Sequence, residues 1–140
     1  MRYLVDSNIL SEATRPRPND RVIEWLRGNE AELAISPVVL GEIEYGILIL
    51  PPGHRRDRLL LWLMDRVKTL RFVVFDAETA SEWAQMMAVL KAKGLSMSVK
   101  DSLIAATART HRLTVVTRNT ADFRHAGVPL LNPFEEPTAE

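Results

Sequence analysis

The stretch "YLVDSNILSE", residues 3–12, places three polar residues directly after a short apolar run. The apolar run at 3–5 is typical of a buried strand. Asp6, Ser7 and Asn8 follow it, and more apolar residues come next. Because Asp, Ser and Asn are preferred N-caps, these residues are explained if a helix begins directly after the strand. They are also explained if the strand positions Asp6 as a functional carboxylate, and the rest of the sequence has to distinguish the two.

Length and composition indicate an ordinary globular domain. The chain has 140 residues, of which 46% are hydrophobic and 26% charged, so one domain with a single core is expected. It has no cysteine, which excludes disulfides and cysteine-bearing zinc sites. We find neither a signal-like start nor an apolar run near the roughly 18 residues that span a membrane. We therefore expect a cytoplasmic protein that does not associate with membranes.

The charge pattern gives little indication of a polyanionic partner. The formal net charge is zero, whereas proteins that bind nucleic acid through their overall charge are usually basic. Local basic clusters do occur, and such clusters are most often solvated surface. They are Arg15 with Arg17, "HRRDR" at 54–58, "RTHR" at 109–112, and Arg118 with Arg124 and His125.

Five short segments have the composition of buried strands, and segments of helical character lie between them. The strands are predicted at 3–5, 32–35, 72–75 and 113–117, with a weaker fifth at 128–131. Strands that alternate with helices form parallel sheets through crossover connections. We therefore expect a three-layer α/β/α fold with a central parallel sheet of four to five strands. This single domain is predicted to span 1–134, followed by an acidic tail at 135–140.

Cap residues and glycines mark the ends of the predicted helices. Asn19 precedes an amphipathic segment that ends at Gly28. Ser36 is followed by a proline, a preferred first residue of a helix. The remaining helices are predicted at about 56–70, from Asp76 to Gly94, and after Ser98.

Four acids lie at or near the carboxyl ends of the predicted strands, where open parallel sheets bind ligands. Asp6 ends the first strand, and Glu42 lies in the helix after the second. Asp101 lies near the start of the helix that leads into the fourth strand, and Asp122 lies just beyond that strand. Carboxylates that meet at one edge raise each other's pKa, so we expect a cation among them. Oxygen-only ligands suit Mg²⁺ or Mn²⁺, and such ions assist phosphodiester cleavage.

Each acid also has a structural explanation. Glu42 is explained equally well as a surface charge at the edge of an apolar helix face. Asp101 stands three residues after Ser98, as in a capping box, and Asp122 resembles an ordinary turn acid. A histidine general base is not indicated, because the histidines are scattered along the chain at His54, His111 and His125.

Four blocks of the sequence match one known family in order and from end to end of the chain. They are "YLVDSNILSE", "ISPVVLGEIEYGI", "KDSLIAATARTHRLTVVTRNTADF" and "GVPLLNPF". The last two are the most specific, because D-x-x-I-A-A-x-A is followed by T-R-N-x-x-D-F. With these blocks the chain resembles the PIN-domain ribonucleases that act as toxins in bacterial toxin–antitoxin pairs, the VapC and FitB-like group. The resemblance implies a Mg²⁺-dependent endoribonuclease, with Mn²⁺ as a substitute.

The resemblance also assigns roles to individual residues. It makes Asp6, Glu42, Asp101 and Asp122 the acids of the catalytic site. It makes Asp6 and Asp101 metal ligands and places Ser7 and Asn119 in the lining. Lys100 departs from the family, which more often has a small or apolar residue before the third acid. Its ammonium group either pairs with the acids or points to water.

The resemblance further implies partners: an RNA substrate, a cognate antitoxin, and operator DNA that is bound only through the antitoxin. We expect the antitoxin to insert an arginine among the four acids, since a guanidinium can bind two carboxylate oxygens. Its amphipathic segment is predicted to occupy an apolar groove around Ile9, Leu10 and Trp25. A homodimer is also expected, because more apolar residues than one buried face needs lie at 59–64 and at Ile43, Ile47 and Ile49.

Two other functions remain open at this point. A PIN-like module that binds RNA or the antitoxin without cutting would show the same fold. A phosphatase with an aspartyl nucleophile also has an Asp at the end of its first strand, but usually within Asp-x-Asp. Asn8 stands where that second acid belongs, which disfavours the phosphatase.

Overall fold

The computed structural model describes residues 1–136, which form a five-stranded parallel sheet and seven α-helices. The strand order is β3–β2–β1–β4–β5, so the first strand is central. This confirms the predicted α/β fold with a central parallel sheet. The strands are β1 Tyr3–Val5, β2 Leu33–Ile35, β3 Arg71–Phe72, β4 Thr114–Val116 and β5 Leu130–Leu131. The helices are α1 Ser7–Glu12, α2 Asp20–Gly28, α3 Pro37–Leu48, α4 His54–Asp65, α5 Ala77–Ala92, α6 Val99–His111 and α7 Thr120–Phe123.

Two predicted elements end at least three residues earlier than the sequence suggested. The strand predicted at 72–75 pairs only through β3 and the Val73 amide, which donates to the Ile35 carbonyl at 3.0 Å. Because β3 is an edge strand and its partner β2 ends there, Val74 and Phe75 leave the sheet and are exposed. The helix predicted at about 56–70 is α4, which ends at Asp65 and is followed by a short 3-10 turn.

The predicted helix caps are confirmed at three positions. Asn19 accepts hydrogen bonds from the Arg21 and Val22 amides at 3.0 and 3.3 Å. The Ser36 hydroxyl accepts from the Val38 amide at 3.1 Å, and the Ser98 hydroxyl accepts from the third helical amide of α6. At α1 the N-cap is Asp6, one of the three candidate caps in the sequence, because its carboxylate accepts a hydrogen bond from the first helical amide.

The core contains several apolar residues that the sequence suggested for other roles. Ile9 and Leu10 are buried, so the prediction that they line a groove for a partner is wrong. They face inward because α1 begins directly at the end of β1 and packs against the sheet core. Trp25 is half-buried and packs edge-to-face on Tyr3, with ring centroids 4.9 Å apart.

The apolar excess on α3 and α4 is only partly exposed. Ile43 and Ile47 are buried, so two of the residues expected at a dimer interface belong to the core instead. Other apolar side chains on these two helices, which pack against each other, and at the residue directly after α3 do face solvent. They are Tyr45, Leu48, Ile49, Leu61 and Met64.

The end of the domain is described as far as Glu136, whose carboxylate pairs with Arg21 at 2.5 Å. Residues 137–140, the rest of the predicted acidic tail, lie outside the described residues. The domain boundary at 134 therefore stays a prediction. Within residues 1–136, no helix has both the length and the apolar character needed to cross a bilayer.

Candidate active site

Asp6 is held at the carboxyl end of the central strand. Its backbone amide donates to the Val116 carbonyl at 2.9 Å, so the pairing of β1 with β4 continues through this residue. Its side chain lies in the interior, with the residue only 3% exposed. A group placed by a strand within a packed core is positioned more accurately than one on a loop, as a catalytic carboxylate requires.

Three donors surround the Asp6 carboxylate. The Thr117 hydroxyl donates to Oδ2 at 2.8 Å, and the Asn8 side-chain amide lies 3.3 Å from the same oxygen. The Ser7 backbone amide donates to Oδ1 at 2.8 Å. Burial raises the pKa of Asp6, while the bonds from Thr117 and Ser7 and the charge of Lys100 oppose that rise.

Thr117 is a site residue that the sequence did not indicate. It is fully buried directly after β4, and its hydroxyl also accepts from the Asn119 amide at 3.1 Å. The register pairs Val5 with Val116, so the residues that follow them, Asp6 and Thr117, are neighbours. The sequence does contain this threonine in the T-R-N block, but it can be recognised as a partner of Asp6 only once the pairing of β1 with β4 is known.

Glu42 is brought to the same place by α3, which packs against α1 and α6. The Ser7 hydroxyl donates to Glu42 Oε1, and Lys100 forms an ion pair with Oε2. Glu42 is half-buried and both of its oxygens have partners. These contacts differ from those of an isolated charge at a surface edge.

Lys100, the second residue of α6, pairs with the acids instead of pointing to water. Burial lowers its pKa, but the hydrogen bond to Glu42 and the negative charges of Glu42, Asp6 and Asp101 outweigh burial, so the pKa is raised. The ammonium group therefore remains charged and provides the cation that the acids need.

Asp101 and Asp122 are positioned differently from Asp6. The Asp101 amide donates to the Ser98 hydroxyl at 3.1 Å, so its backbone has the capping role considered from the sequence. Its half-buried carboxylate accepts no hydrogen bond from residues 1–136 and remains available. Asp122 is exposed in α7. Among residues 1–136, no hydrogen bond or salt bridge involves its side chain, so no shared partner links it to the other acids.

The residues present suit a hard divalent cation, although the described chain shows no preformed cage. Among residues 1–136, no group of three or more acidic or histidine side chains is arranged to hold one ion. Lys100 nevertheless pairs with the Glu42 carboxylate and is acted on by the charges of Asp6 and Asp101, and carboxylates are ligands that magnesium prefers. The Lys100 ammonium lies in the field of Asp6, Glu42 and Asp101 and stands in for a cation there. The donor chemistry therefore fits a metal ion.

Glu12 is a further buried acid, but its contacts are structural. It accepts from the Asn19 amide at 2.8 Å and lies 3.8 Å from an Arg15 guanidinium nitrogen. The first contact ties the end of α1 to the start of α2 and closes the loop between them. Glu12 therefore fixes the loop that carries Arg15.

Comparisons with known proteins agree with this geometry. The PIN domain model matches residues 3–129. The toxin FitB of Neisseria gonorrhoeae is 35% identical over 137 residues, which are 95% of this chain and 99% of FitB. The VapC ribonuclease Y4jK of Sinorhizobium fredii is 32% identical over 136 residues, 94% of this chain and 97% of that protein. The structure of FitAB bound to the IR36 DNA fragment superposes with a TM-score of 0.92 at 32% identity, covering 99% of both chains.

The family match spans the strand that carries Asp6, the helix that carries Glu42, and the α6–β4 segment with Asp101 and Thr117. A full-length relative and a full-length structural match add to it. This chain belongs to the PIN domain family.

Proposed function

We propose that this chain is a Mg²⁺-dependent endoribonuclease that acts as the toxin of a toxin–antitoxin pair. The observation that carries the proposal is the buried Asp6 carboxylate, which Thr117 and Ser7 hold, together with Glu42, which the Ser7 hydroxyl and Lys100 contact. The relatives named as a toxin and as a ribonuclease support it, because they align over almost the whole chain.

In the proposed mechanism, Asp6 and Asp101 hold the metal, and Glu42 and Asp122 complete the acidic site. A bound Mg²⁺ would activate water and stabilise the charge that develops on the phosphate during hydrolysis. Thr117, Asn8 and Ser7 orient Asp6, and the Ser7 hydroxyl orients Glu42 as well. These donors fix the carboxylates before the substrate arrives, so little reorganisation is needed when it binds.

We also propose partners for this function. The FitAB structure contains DNA, which supports operator binding by a complex of toxin and antitoxin, with the antitoxin making the DNA contacts. An arginine of the antitoxin would inhibit by pairing with the acids in place of Lys100. An RNA substrate and a DNA-bound complex are consistent with action in the cytoplasm.

A PIN-like module that binds RNA or the antitoxin without cutting is the second candidate. The ion pair between Lys100 and Glu42 favours it, because a protein cation lies where the metal would act. The two candidates differ in one measurable respect, since only the first turns over RNA.

The first prediction concerns catalysis. Purified protein should cleave RNA with Mg²⁺ or Mn²⁺ and stop when EDTA is added. Asp101→Asn should lower the rate about a hundredfold or more, since metal charge stabilisation amounts to several kcal/mol. Asp101 suits this test better than Asp6, whose carboxylate also caps α1.

The control for this assay is Asp65→Asn, which changes an exposed acid at the end of α4. It should cleave at the wild-type rate, as measured by gel electrophoresis of a labelled RNA. Full activity in EDTA would falsify the metal-dependent mechanism, and metal binding without cleavage would favour the non-cleaving module.

The second prediction concerns Lys100. In EDTA, Lys100→Met should lower the melting temperature by about 1–5 °C, because the three acids lose their counter-ion. Added Mg²⁺ should then raise the melting temperature of this variant more than that of the wild type, since the ammonium no longer competes. Lys100→Arg, which keeps the charge, is the matched control and should behave like the wild type. Equal Mg²⁺-induced shifts in all three proteins would contradict the counter-ion role.

The third prediction concerns assembly. Ile49, directly after α3, and Leu61 of α4 are 64% and 62% exposed, and we propose that this face of the packed helix pair forms a homodimer. Light scattering should give a dimer for the wild type and a monomer for Leu61→Glu. Val89→Glu introduces the same charge at an exposed apolar residue of α5 and should leave the dimer intact. A wild-type monomer at micromolar concentration would rule the dimer out.

The fourth prediction concerns toxicity. Cells that express this chain alone should stop growing, because no antitoxin blocks the acidic site. Cells that express Asp101→Asn or Asp6→Asn should grow, and co-expression of the antitoxin should restore growth with the wild type. Normal growth despite soluble wild-type protein on an immunoblot would argue against the toxin role.

A further inference from the structure

An arginine-lined cleft lies beside the candidate active site. Its volume is about 1020 Å³, at the upper end of the range for ligand pockets. Four arginines line it, and they come from three distant parts of the chain: the loop after α1, the start of α4, and the segment after β4. The fold thus gathers three basic clusters that the sequence alone presents as separate surface charges. The arginines are Arg15, Arg55, Arg58 and Arg118.

The positive charge of this cleft is only slightly compensated. Within residues 1–136, Glu12 is the one acid in the lining, and it pairs weakly with Arg15 at 3.8 Å. In the same described part of the chain, no acid lies within ion-pair distance of Arg55, Arg58 or Arg118. Since the whole chain has zero net charge, the cleft is a local concentration of positive charge that attracts a polyanion.

The cleft continues to the acids along one wall. A smaller cavity of about 230 Å³ is lined by Ser7 and Glu42 of the candidate site. Arg55, Leu59 and Trp62 line both spaces, so a chain bound among the arginines would lead to the carboxylates. Trp62 therefore lies between the cationic cleft and the acidic site.

Trp62 offers an aromatic surface at this junction. Its side chain is half-buried, packed against the core on one side while it lines the cleft. Aromatic rings beside cations are typical of sites for single-stranded nucleic acid, because unpaired bases stack on the ring while the cations contact phosphates. A base-paired duplex keeps its bases stacked and offers none to the indole.

We propose that this cleft binds the single-stranded RNA segment next to the scissile phosphodiester, with Arg55 and Arg58 on its phosphates and Trp62 stacked on a base. The inference rests on the proposed ribonuclease function and adds the part of the substrate that is recognised. An inhibitory peptide that pairs with the acids is expected to be basic, and these arginines would repel it. The charge of the cleft therefore favours RNA over the antitoxin as its occupant.

The test measures binding separately from cleavage. All proteins carry Asp101→Asn so that a fluorescein-labelled, single-stranded ten-nucleotide RNA stays intact, and its affinity is measured by fluorescence anisotropy. Arg55→Gln with Arg58→Gln should reduce the slope of log K against log salt by about 1.4, since each phosphate contact of a single strand contributes about 0.7. Trp62→Ala should weaken binding roughly tenfold, and Trp62→Phe less, because the smaller ring still stacks.

The matched control is the pair Arg27→Gln with Arg71→Gln, which removes the same charge at exposed positions outside the cleft lining. This protein should keep the wild-type salt slope. Because Trp62→Ala removes packing against the core, the melting temperature of this variant is measured as well. If this variant fails to fold, Trp62→Phe and the arginine variants provide the test. A duplex of the same sequence should bind the wild-type cleft more weakly than the single strand.

The outcomes distinguish this proposal from the proposed function. If the protein without Asp101→Asn cleaves RNA while the cleft variants match the control in affinity and salt slope, the cleft proposal is overturned and the ribonuclease stands. If RNA is bound through Arg55, Arg58 and Trp62 but never cut, the cleft stands and the ribonuclease fails. Unchanged RNA affinity together with loss of the co-expressed antitoxin from the arginine variant would assign the cleft to the antitoxin and overturn the proposal.

Discussion

The parallel pairing of β1 with β4 is the constraint on which the candidate site depends. Its register places Val5 against Val116, so the next residues, Asp6 and Thr117, lie side by side at the carboxyl edge of the sheet. The 2.8 Å bond between their side chains is therefore a product of backbone pairing. A shift of β4 by one residue would turn the Thr117 side chain to the other face, and the buried carboxylate would lose one of its two closest donors.

Lys100 compensates the negative charge that the fold brings together at one edge of the sheet. A buried carboxylate is costly unless hydrogen bonds and opposite charge compensate it. Asp6 has both, since three donors contact it and the Lys100 charge acts on it. A cation in the first turn of a helix is unfavourable to the helix dipole, and the acids that face Lys100 offset that cost. Lys100 therefore has a clear electrostatic role.

The sequence predicted the alternation of strands and helices, most helix caps, and the acids as candidates, because these depend on local composition and spacing. It did not predict that Asp6 would cap its own helix, since Asp, Ser and Asn are all good caps and only geometry selects one. The role of Thr117, and whether Lys100 pairs with the acids or points to water, depend on which elements distant in sequence are neighbours in the fold. The grouping of Arg15, Arg55 and Arg118 in one cleft also depends on the fold.

Asn8 connects the cleft to the Asp6 carboxylate through a single side chain. Its amide nitrogen lies 3.3 Å from Asp6 Oδ2, and its carbonyl oxygen accepts from the Arg118 backbone amide at 3.0 Å. The same residue lines the arginine cleft. A molecule that pushed Asn8 aside would therefore disturb Asp6 as it entered, whereas one that left Asn8 in place would find the carboxylate already aligned. Asn8 is one of three donors to Asp6, so the shape of whatever fills the neighbouring space bears on how well this carboxylate is aligned.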